Sequence, residues 1–501
     1  MHRDRDFDLE RELPANSDAL IQDLELETLV EAMSLGDEFL AEIAKRALLT
    51  SLTDPAEIAY RQAVLADCLA QPVLVRRLYE IAVEAIAGKR TAYGFFFRDS
   101  PERILNGSLN VLDFFVTVLK TLRHVADEYA GDFQSEGFTR FFAMLREELG
   151  DDYFAEIDAH LKELRFRRGV LISAALGKGN RGVSYVLRRP NEQTWLQRIS
   201  PANRTGYSFR IPERDESGFK ALSELRERGV NLAANALAQS TDHILSLFTM
   251  LQAELAFYVC CLNLHERLSA KGEPTCVPVP APPATDELSA CGLYDPCLSL
   301  KLENRVVGNA VDGDGKRLLM ITGANQGGKS TFLRSLGVAQ LMMQCGMFVA
   351  GEAFRADVRE GLFTHFKREE DASMQSGKLD EELSRMSEIA GAIGPHSILL
   401  CNESFASTNE REGSEIARQV VRALVESGVK VVFVTHLFDL AHSFSTERSN
   451  LALFLRAERQ DDGGRTYRIV EGEPLPTSYG EDTYRRIFGN RGADAVASSE
   501  R

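Results

Sequence analysis

The residues from Ile321 to Thr331 read ITGANQGGKST and combine the types that hold a row of phosphates. Gly323 to Ser330 satisfy the spacing G-x-x-x-x-G-K-[ST]. Glycines at 323, 327 and 328 let the backbone N–H groups of Ala324, Asn325 and Gln326 approach anionic oxygens, and a helix opening over Lys329, Ser330 and Thr331 adds its positive dipole end. Lys329 is placed to reach the β and γ oxygens, and the Ser330 hydroxyl to ligate a metal ion. The expected ligands are ATP and Mg2+.

A second segment, SILLCNE, is an apolar run ending in Asn402 and Glu403. That is the carboxyl end of a strand, where α/β sheets place ligands. The pattern is that of a Walker B element with Asn402 in place of the usual aspartate. Its amide accepts a hydrogen bond from a magnesium-bound water but has no charge to offset the metal. Glu403 is the carboxylate expected to contact the ion through water and to orient or activate the attacking water. VKVVFVTH ends a further strand in Thr435 and His436, and His436 is placed to touch either the γ-phosphate or the same water.

These groups need a sheet to align them. Beyond about residue 293, apolar runs (RLLMITG, LFTHFK, SILLCNE, VKVVFVTH) alternate with helical patterns, which predicts a mostly parallel sheet with helices on both faces. LALFLRAERQDDGGRTYRIVEG reads as an antiparallel hairpin turning at Asp462 to Gly464. From about Ile21 to Leu161 apolar residues recur at helical spacing, and a second helical block of about fifty residues without proline runs from Gly218 to Leu268. Such a length suits a lever. PTCVPVPAPP has five prolines in ten residues and reads as an extended connector. The expected organisation is a tail (1–20), a helical domain (21–273) with a small β-containing insertion at about 162–215, a Pro-rich connector (274–292) and an α/β domain (293–501).

The chain carries 58 Lys and Arg against 74 Asp and Glu, a formal charge of −16, so any contact with nucleic acid must be local. Between Lys162 and Arg210 the balance reverses, with eleven basic residues and two acidic ones. Arg167, Arg168, Lys178, Arg181, Arg188, Arg189 and Arg198 alternate there with Phe166, Tyr185, Trp195 and Tyr207. Phosphate contacts and stacking are one use of such a patch; docking on the acidic body of its own chain is the other. No continuous apolar run reaches the ~18 residues of a membrane span, and the N-terminus has no apolar stretch of a secretory signal. The eight cysteines include no C-x-x-C pair. Reduced thiols, no zinc, no membrane and a cytoplasmic location are expected.

In order and spacing, ITGANQGGKST, SILLCNESFASTNEREG, VVFVTH and PTSYG resemble the ATPase domain of the MutS DNA mismatch-repair proteins. The match runs over about Leu293 to Gly480, and the helical half resembles that family's lever with its clamp insertion more weakly. The resemblance implies an ABC/MutS-like P-loop ATPase, a homodimer formed through the ATPase faces, and DNA gripped by its backbone at the basic tip. It also assigns DASMQSGKLDEE to the family's mobile loop, in which Ser376 and Lys378 would reach a nucleotide held by the other subunit. On this reading the family's N-terminal mismatch-reading and connector domains are missing, and little room is left for its C-terminal dimerisation helices. Phe154 to Glu156 spell the reader's Phe-x-Glu, but inside an amphipathic helical pattern that packing explains. Val306 falls where the family often places an aromatic against adenine.

Overall fold

The computed structural model describes residues 1–93, 100–167, 169–189, 210–368, 377–447, 449–460 and 464–476. The chain forms two compact units, one of Met1–Pro72, Ser135–Gly137 and Ala253–Arg501, the other of Val73–Gln134 and Phe138–Gln252.

In the first unit the chain opens with α1 (Ser17–Asp23), α2 (Leu26–Ser34), α3 (Glu38–Leu49) and α4 (Pro55–Ala70). Asp37 caps α3 by accepting from Leu40 N, and Asp54 caps α4, whose first residue is Pro55. These four helices fall in a different unit from the helices Pro101–Tyr129 and Asp151–Leu164 and from most of Pro72–Tyr93 and Glu136–Glu148. Their apolar faces are buried against the C-terminal half: Leu52 and Ile58 cluster with Val358, Asn16 donates to Leu362 O (2.7 Å), and Gln62 donates to Pro278 O (3.0 Å). The chain passes between the two units at Pro72, around Ser135–Gly137 and at Ala253, whereas the sequence reading puts a boundary at the Pro-rich connector.

The second unit contains α5 (Pro72–Tyr93) from Val73 onward, α6 (Pro101–Tyr129), α7 (Glu136–Glu148) from Phe138, α8 (Asp151–Leu164), and the antiparallel hairpin of β1 (Leu171–Leu176) and β2 (Gly182–Arg188). Its core is aromatic: the ring centroids of Phe133, Phe138 and Phe142 lie 4.4–5.8 Å apart, and Phe115 meets Phe248 at 5.8 Å. Phe154 is buried on α8 under the Lys120 ammonium, a packing role.

One helix, α9 (Glu216–Ala270), runs for 55 residues, contributing 216–252 to the second unit and the remainder to the first. It has no proline, and it ends at Ala270; just beyond, Gly272 with φ 70° allows Glu273 N to donate back to Leu268 O. One 18-residue window on it is long and apolar enough to cross a membrane by composition, a looser criterion than an unbroken apolar run, and 61% of that window is buried inside the fold. Tyr258, Cys261 and Leu264 there are fully buried.

After α9 the chain lays down β3 (Thr275–Cys276), β4 (Val279–Ala281), β5 (Leu288–Leu293), α10 (Pro296–Lys301), β6 (Asn309–Asp312), β7 (Leu318–Gly323), α11 (Lys329–Gln344), β8 (Val349–Ala350), β9 (Ala353–Asp357), β10 (Leu362–Phe366), α12 (Lys378–Ala392), β11 (Ile398–Asn402), α13 (Glu410–Glu426), β12 (Lys430–Val434), α14 (Phe438–Thr446), β13 (Ala452–Arg459) and β14 (Arg465–Glu471). The main sheet has the order β10-β11-β12-β7-β13-β14, parallel except for β14, which pairs antiparallel with β13. Of the expected turn at Asp462 to Gly464, residues 462 and 463 lie outside the described residues. Leu399, Cys401, Val431 and Phe433 face Ala417, Val421, Leu440 and Phe444 of α13 and α14. Leu400, on the opposite face by strand alternation, lies against Gly337 of α11. Both faces are thus covered, as the apolar runs required.

A smaller sheet, β4-β9-β5-β6, was not foreseen, and it takes up part of the expected connector. Pro280 is accommodated because β4 is its edge strand.

Candidate nucleotide-binding site

β7 sits at the centre of the sheet between β12 and β13, and its buried run Leu318–Ile321 delivers Gly323 to the carboxyl edge. Gly323 has φ 104°, and a Cβ there would come within 2.9 Å of Ala457 N on β13. At Gly327 a Cβ would meet Ala457 Cβ at 2.6 Å and Ala324 O at 2.9 Å. The loop therefore lies flat against the neighbouring strand, and α11 starts immediately after it. Lys329 is buried, and its ammonium donates to Gly323 O (3.1 Å) and Ala324 O (3.0 Å). Burial pushes its pKa down to about 8, against an opposing pull from Glu403, while the nearby Arg465 lowers it further.

The ends of β11 and β12 bring the second set of groups beside the loop. Ser330 Oγ donates to Asn402 Oδ1 at 2.8 Å, so the two expected metal-side residues are in contact. Glu403 N continues the ladder by donating to Val434 O (2.9 Å), and its own φ is 55°, a left-handed value that turns the side chain off the strand end. His436 Nε2 donates to Glu403 Oε1 at 2.9 Å. That hydrogen bond holds the carboxyl below its usual range in spite of partial burial, with further help from the charges of His436, Lys329 and Lys367. Thr435 is buried, its N–H donating to Ile321 O and its hydroxyl accepting from Leu437 N, so it shapes the turn that presents His436.

Two concavities flank the loop. One, of ≈ 290 Å³, is lined by Gly323, Glu410, Thr435, His436 and Phe438 among others. The other, of ≈ 490 Å³, lies beside Gln326, Gly328 and Thr331 and is walled by Val306, Asn309 and Tyr467. Val306, at the position where the resemblance puts an aromatic, lines this cavity. Its N–H donates to the buried Glu273 carboxylate (2.9 Å), which fixes the segment. An aromatic does reach this cavity, from β14: Tyr467, with φ 60°, its carbonyl accepting from Asn309 Nδ2. Sequence reasoning missed it. The signal was the lone aromatic of RTYRIV, but only the hairpin register and the unusual backbone angle turn it toward the loop.

Of the loop pair expected to reach across a dimer, Lys378 opens α12 and is exposed, and Ser376 lies outside the described residues. Among the expected DNA contacts, Arg168 and Arg198 also lie outside them. Arg167, Lys178, Arg181, Arg188 and Arg189 are exposed on or beside the β1–β2 hairpin. Two of these are engaged within the fold: Arg189 pairs with Glu163, and Arg188 Nε donates to Ser173 Oγ (2.9 Å). Among the described residues no cluster of three or more His, Cys, Asp or Glu forms a metal cage. Oxygen donors from Ser330 and Asn402, with a carboxylate one residue on, nevertheless suit a hard ion held mainly by substrate and water.

Comparison with known proteins agrees with this geometry. The MutS2 N-terminal domain family matches residues 53–271, and MutS domain V matches residues 319–487. MutS protein homolog 4 of Mus musculus is 26% identical over 48% of this chain and 25% of its own length. DNA mismatch repair protein MutS of Chloroflexus aurantiacus is 28% identical over 36% of the chain and 20% of its own length, and Endonuclease MutS2 of Thermus thermophilus is 33% identical over 32% and 21%. The matched stretch is thus a quarter or less of those relatives. MutS domain V is a P-loop ATPase-type domain, and with the two family matches covering most of its residues the chain belongs to the MutS family.

Proposed function

We propose that this protein is a cytoplasmic, ATP-dependent DNA-binding protein of the MutS type, in which ATP binding and hydrolysis switch a homodimer that grips mismatched or branched DNA. The observation that carries the proposal is the convergence of Lys329, Ser330, Asn402, Glu403 and His436 around one loop. Gly323 to Thr331 would hold the phosphates through backbone N–H groups, with Lys329 exchanging its carbonyl partners for phosphate oxygens. Ser330 and Asn402 would take the magnesium ion and its waters, and the ion, when bound, neutralises charge on the transferring phosphoryl group. Glu403, kept ionised by His436, accepts a hydrogen bond from the attacking water and aligns it. Tyr467 stacks on the base and Val306 forms its wall. Lys378, with Ser376, would complete the site of the partner subunit across paired ATPase faces.

The long helix α9 would act as the lever between nucleotide and the basic hairpin, and the hairpin would hold DNA by its backbone. Supporting this are Lys178, Arg181 and Arg167, exposed beside the hairpin in a strongly acidic chain. Fluorescence anisotropy with duplex and branched DNA tests it. Removing Lys178, Arg181 and Arg188 is expected to lower affinity and to reduce the slope of log K against log salt by about one per lost phosphate contact. Binding that ignores both salt and these charges would refute the DNA role.

A second reading is favoured by one observation, the uncharged Asn402 at the metal side of Ser330. In it the protein is a nucleotide-switched protein-interaction module with weak hydrolysis and no DNA role. Rapid multiple-turnover hydrolysis excludes that alternative.

A further inference from the structure

The turn that carries Glu403 is strained at both ends. Glu403 has φ 55° and Phe405 φ 62°, left-handed values that a non-glycine residue adopts only at a cost. Such a turn persists only if its surroundings over-determine it, and between the two strained residues stands Ser404, fully buried. Its hydroxyl is engaged by His365, at the penultimate position of β10. Ser404 Oγ lies 2.7 Å from His365 Nδ1 and 2.7 Å from His365 O. The His365 ring stacks on Phe405, with centroids 5.5 Å apart and planes 25° apart. Its other nitrogen, Nε2, is 3.0 Å from the backbone oxygen of Glu382 on α12. Glu382 is itself buried, and its carboxylate accepts from Ser407 Oγ at 2.8 Å, two residues beyond the strained turn.

The tautomer follows from these partners. Burial pushes the His365 pKa down to about 4, so the ring is neutral and carries one N–H. A carbonyl oxygen only accepts, so the proton is on Nε2 and is donated to Glu382 O. Nδ1 must then accept, and the donor is the Ser404 hydroxyl, for whose single proton His365 O competes. Every polar atom of the imidazole is committed, one to the turn and one to α12.

We propose that His365 is a positioning residue for Glu403: through Ser404 it fixes the strained turn that aims the carboxylate, and through Glu382 it ties that turn to α12. The inference rests on the reading in which Glu403 orients the attacking water. His365 does not touch the reacting atoms.

The two nitrogens can be separated by isosteres. His365→Asn keeps an amide at the distance of Nδ1 and gives up the bond to Glu382, whereas His365→Gln reaches the position of Nε2 and gives up the bond to Ser404. Steady-state ATP hydrolysis by the full chain, ATP affinity and melting temperature are measured for both, together with Ser404→Ala and with Glu403→Gln as reference. His365→Gln and Ser404→Ala are expected to lose about tenfold in kcat with KM and ATP affinity little changed, and His365→Asn to keep the larger part of the rate. Melting temperature falls in both His365 variants, since each loses a buried bond and the ring stack, so rate and stability part company. Equal rate losses in Asn and Gln, losses that follow melting temperature, or a change in KM with kcat intact would overturn the positioning role. If Glu403→Gln hydrolyses ATP at the wild-type rate, the reading of Glu403 itself fails and the inference falls with it. If Glu403→Gln is inactive while Asn and Gln are indistinguishable, the positioning inference alone is wrong.

Discussion

Lys329 gives the nucleotide site a pH dependence whose sign and size can be worked out. Its ammonium is buried among the loop carbonyls, and its pKa falls from 10.5 to about 8. Without nucleotide the side chain is therefore about 90% charged at pH 7 and about 10% charged at pH 9. A bound triphosphate demands the charged form throughout this range, so binding above pH 8 must take up a proton. Affinity is then nearly constant up to about pH 7.5 and falls about tenfold per pH unit beyond 8, or about 1.4 kcal/mol per unit. The terminal phosphate, with its last pKa near 6, contributes no opposing change there. Folding without nucleotide shifts the opposite way. The unfolded lysine keeps its ordinary pKa, so between about 8 and 10.5 the unfolded chain holds more protons, and the free fold gains stability as pH rises. Calorimetric titration with ATP in buffers of different ionisation enthalpy reads both affinity and proton count, and uptake of about 0.7–0.8 proton is expected at pH 8.5. Lys329→Arg, whose guanidinium stays charged, is expected to flatten the profile whatever it does to affinity. A flat wild-type profile from pH 7 to about 9.5 with no proton uptake refutes the reasoning.

Tyr467→Ala is expected to weaken ATP and ADP alike by about 0.5–1.5 kcal/mol, and Tyr467→Phe to leave both near wild type, as measured with a fluorescent nucleotide. Asn402→Asp places a carboxylate against Ser330 and should lower the magnesium concentration that half-saturates hydrolysis by about tenfold, read from metal titrations at fixed ATP. Arg359 and Asp357 form a buried ion pair at 2.5 Å, both about 2% exposed or less. Breaking it with Arg359→Met should cost about 3–5 kcal/mol in urea unfolding, and adding Asp357→Leu should restore much of the loss.

What could be read from the residues depended on how local each signal was. Gly323 to Ser330 declared themselves because strand, loop and helix are contiguous and each residue type has one job. The parallel sheet was legible for the same reason, through apolar runs that must be buried on both faces. The smaller sheet was not, because its strands are three to six residues long and drawn from segments some eighty residues apart. Nor was the cut between units, since the helical periodicity of α1–α4 says that a face is buried but not against which partner. His365 sits in an apolar run where its spacing resembles packing, and its meaning depends on Ser404 and Glu382, distant in sequence. In the basic segment, charge counting could not reveal that Glu163 already answers Arg189.

The most direct test of the central claim is the steady-state rate of ATP hydrolysis by the wild-type chain and by Glu403→Gln, each with no DNA and with duplex, mismatched or branched DNA. Hydrolysis by the wild type that one DNA structure changes severalfold, and a loss of about a hundredfold or more in Glu403→Gln under every condition, are expected. A wild-type rate indifferent to all three DNAs, or equal to that of Glu403→Gln, would contradict the account.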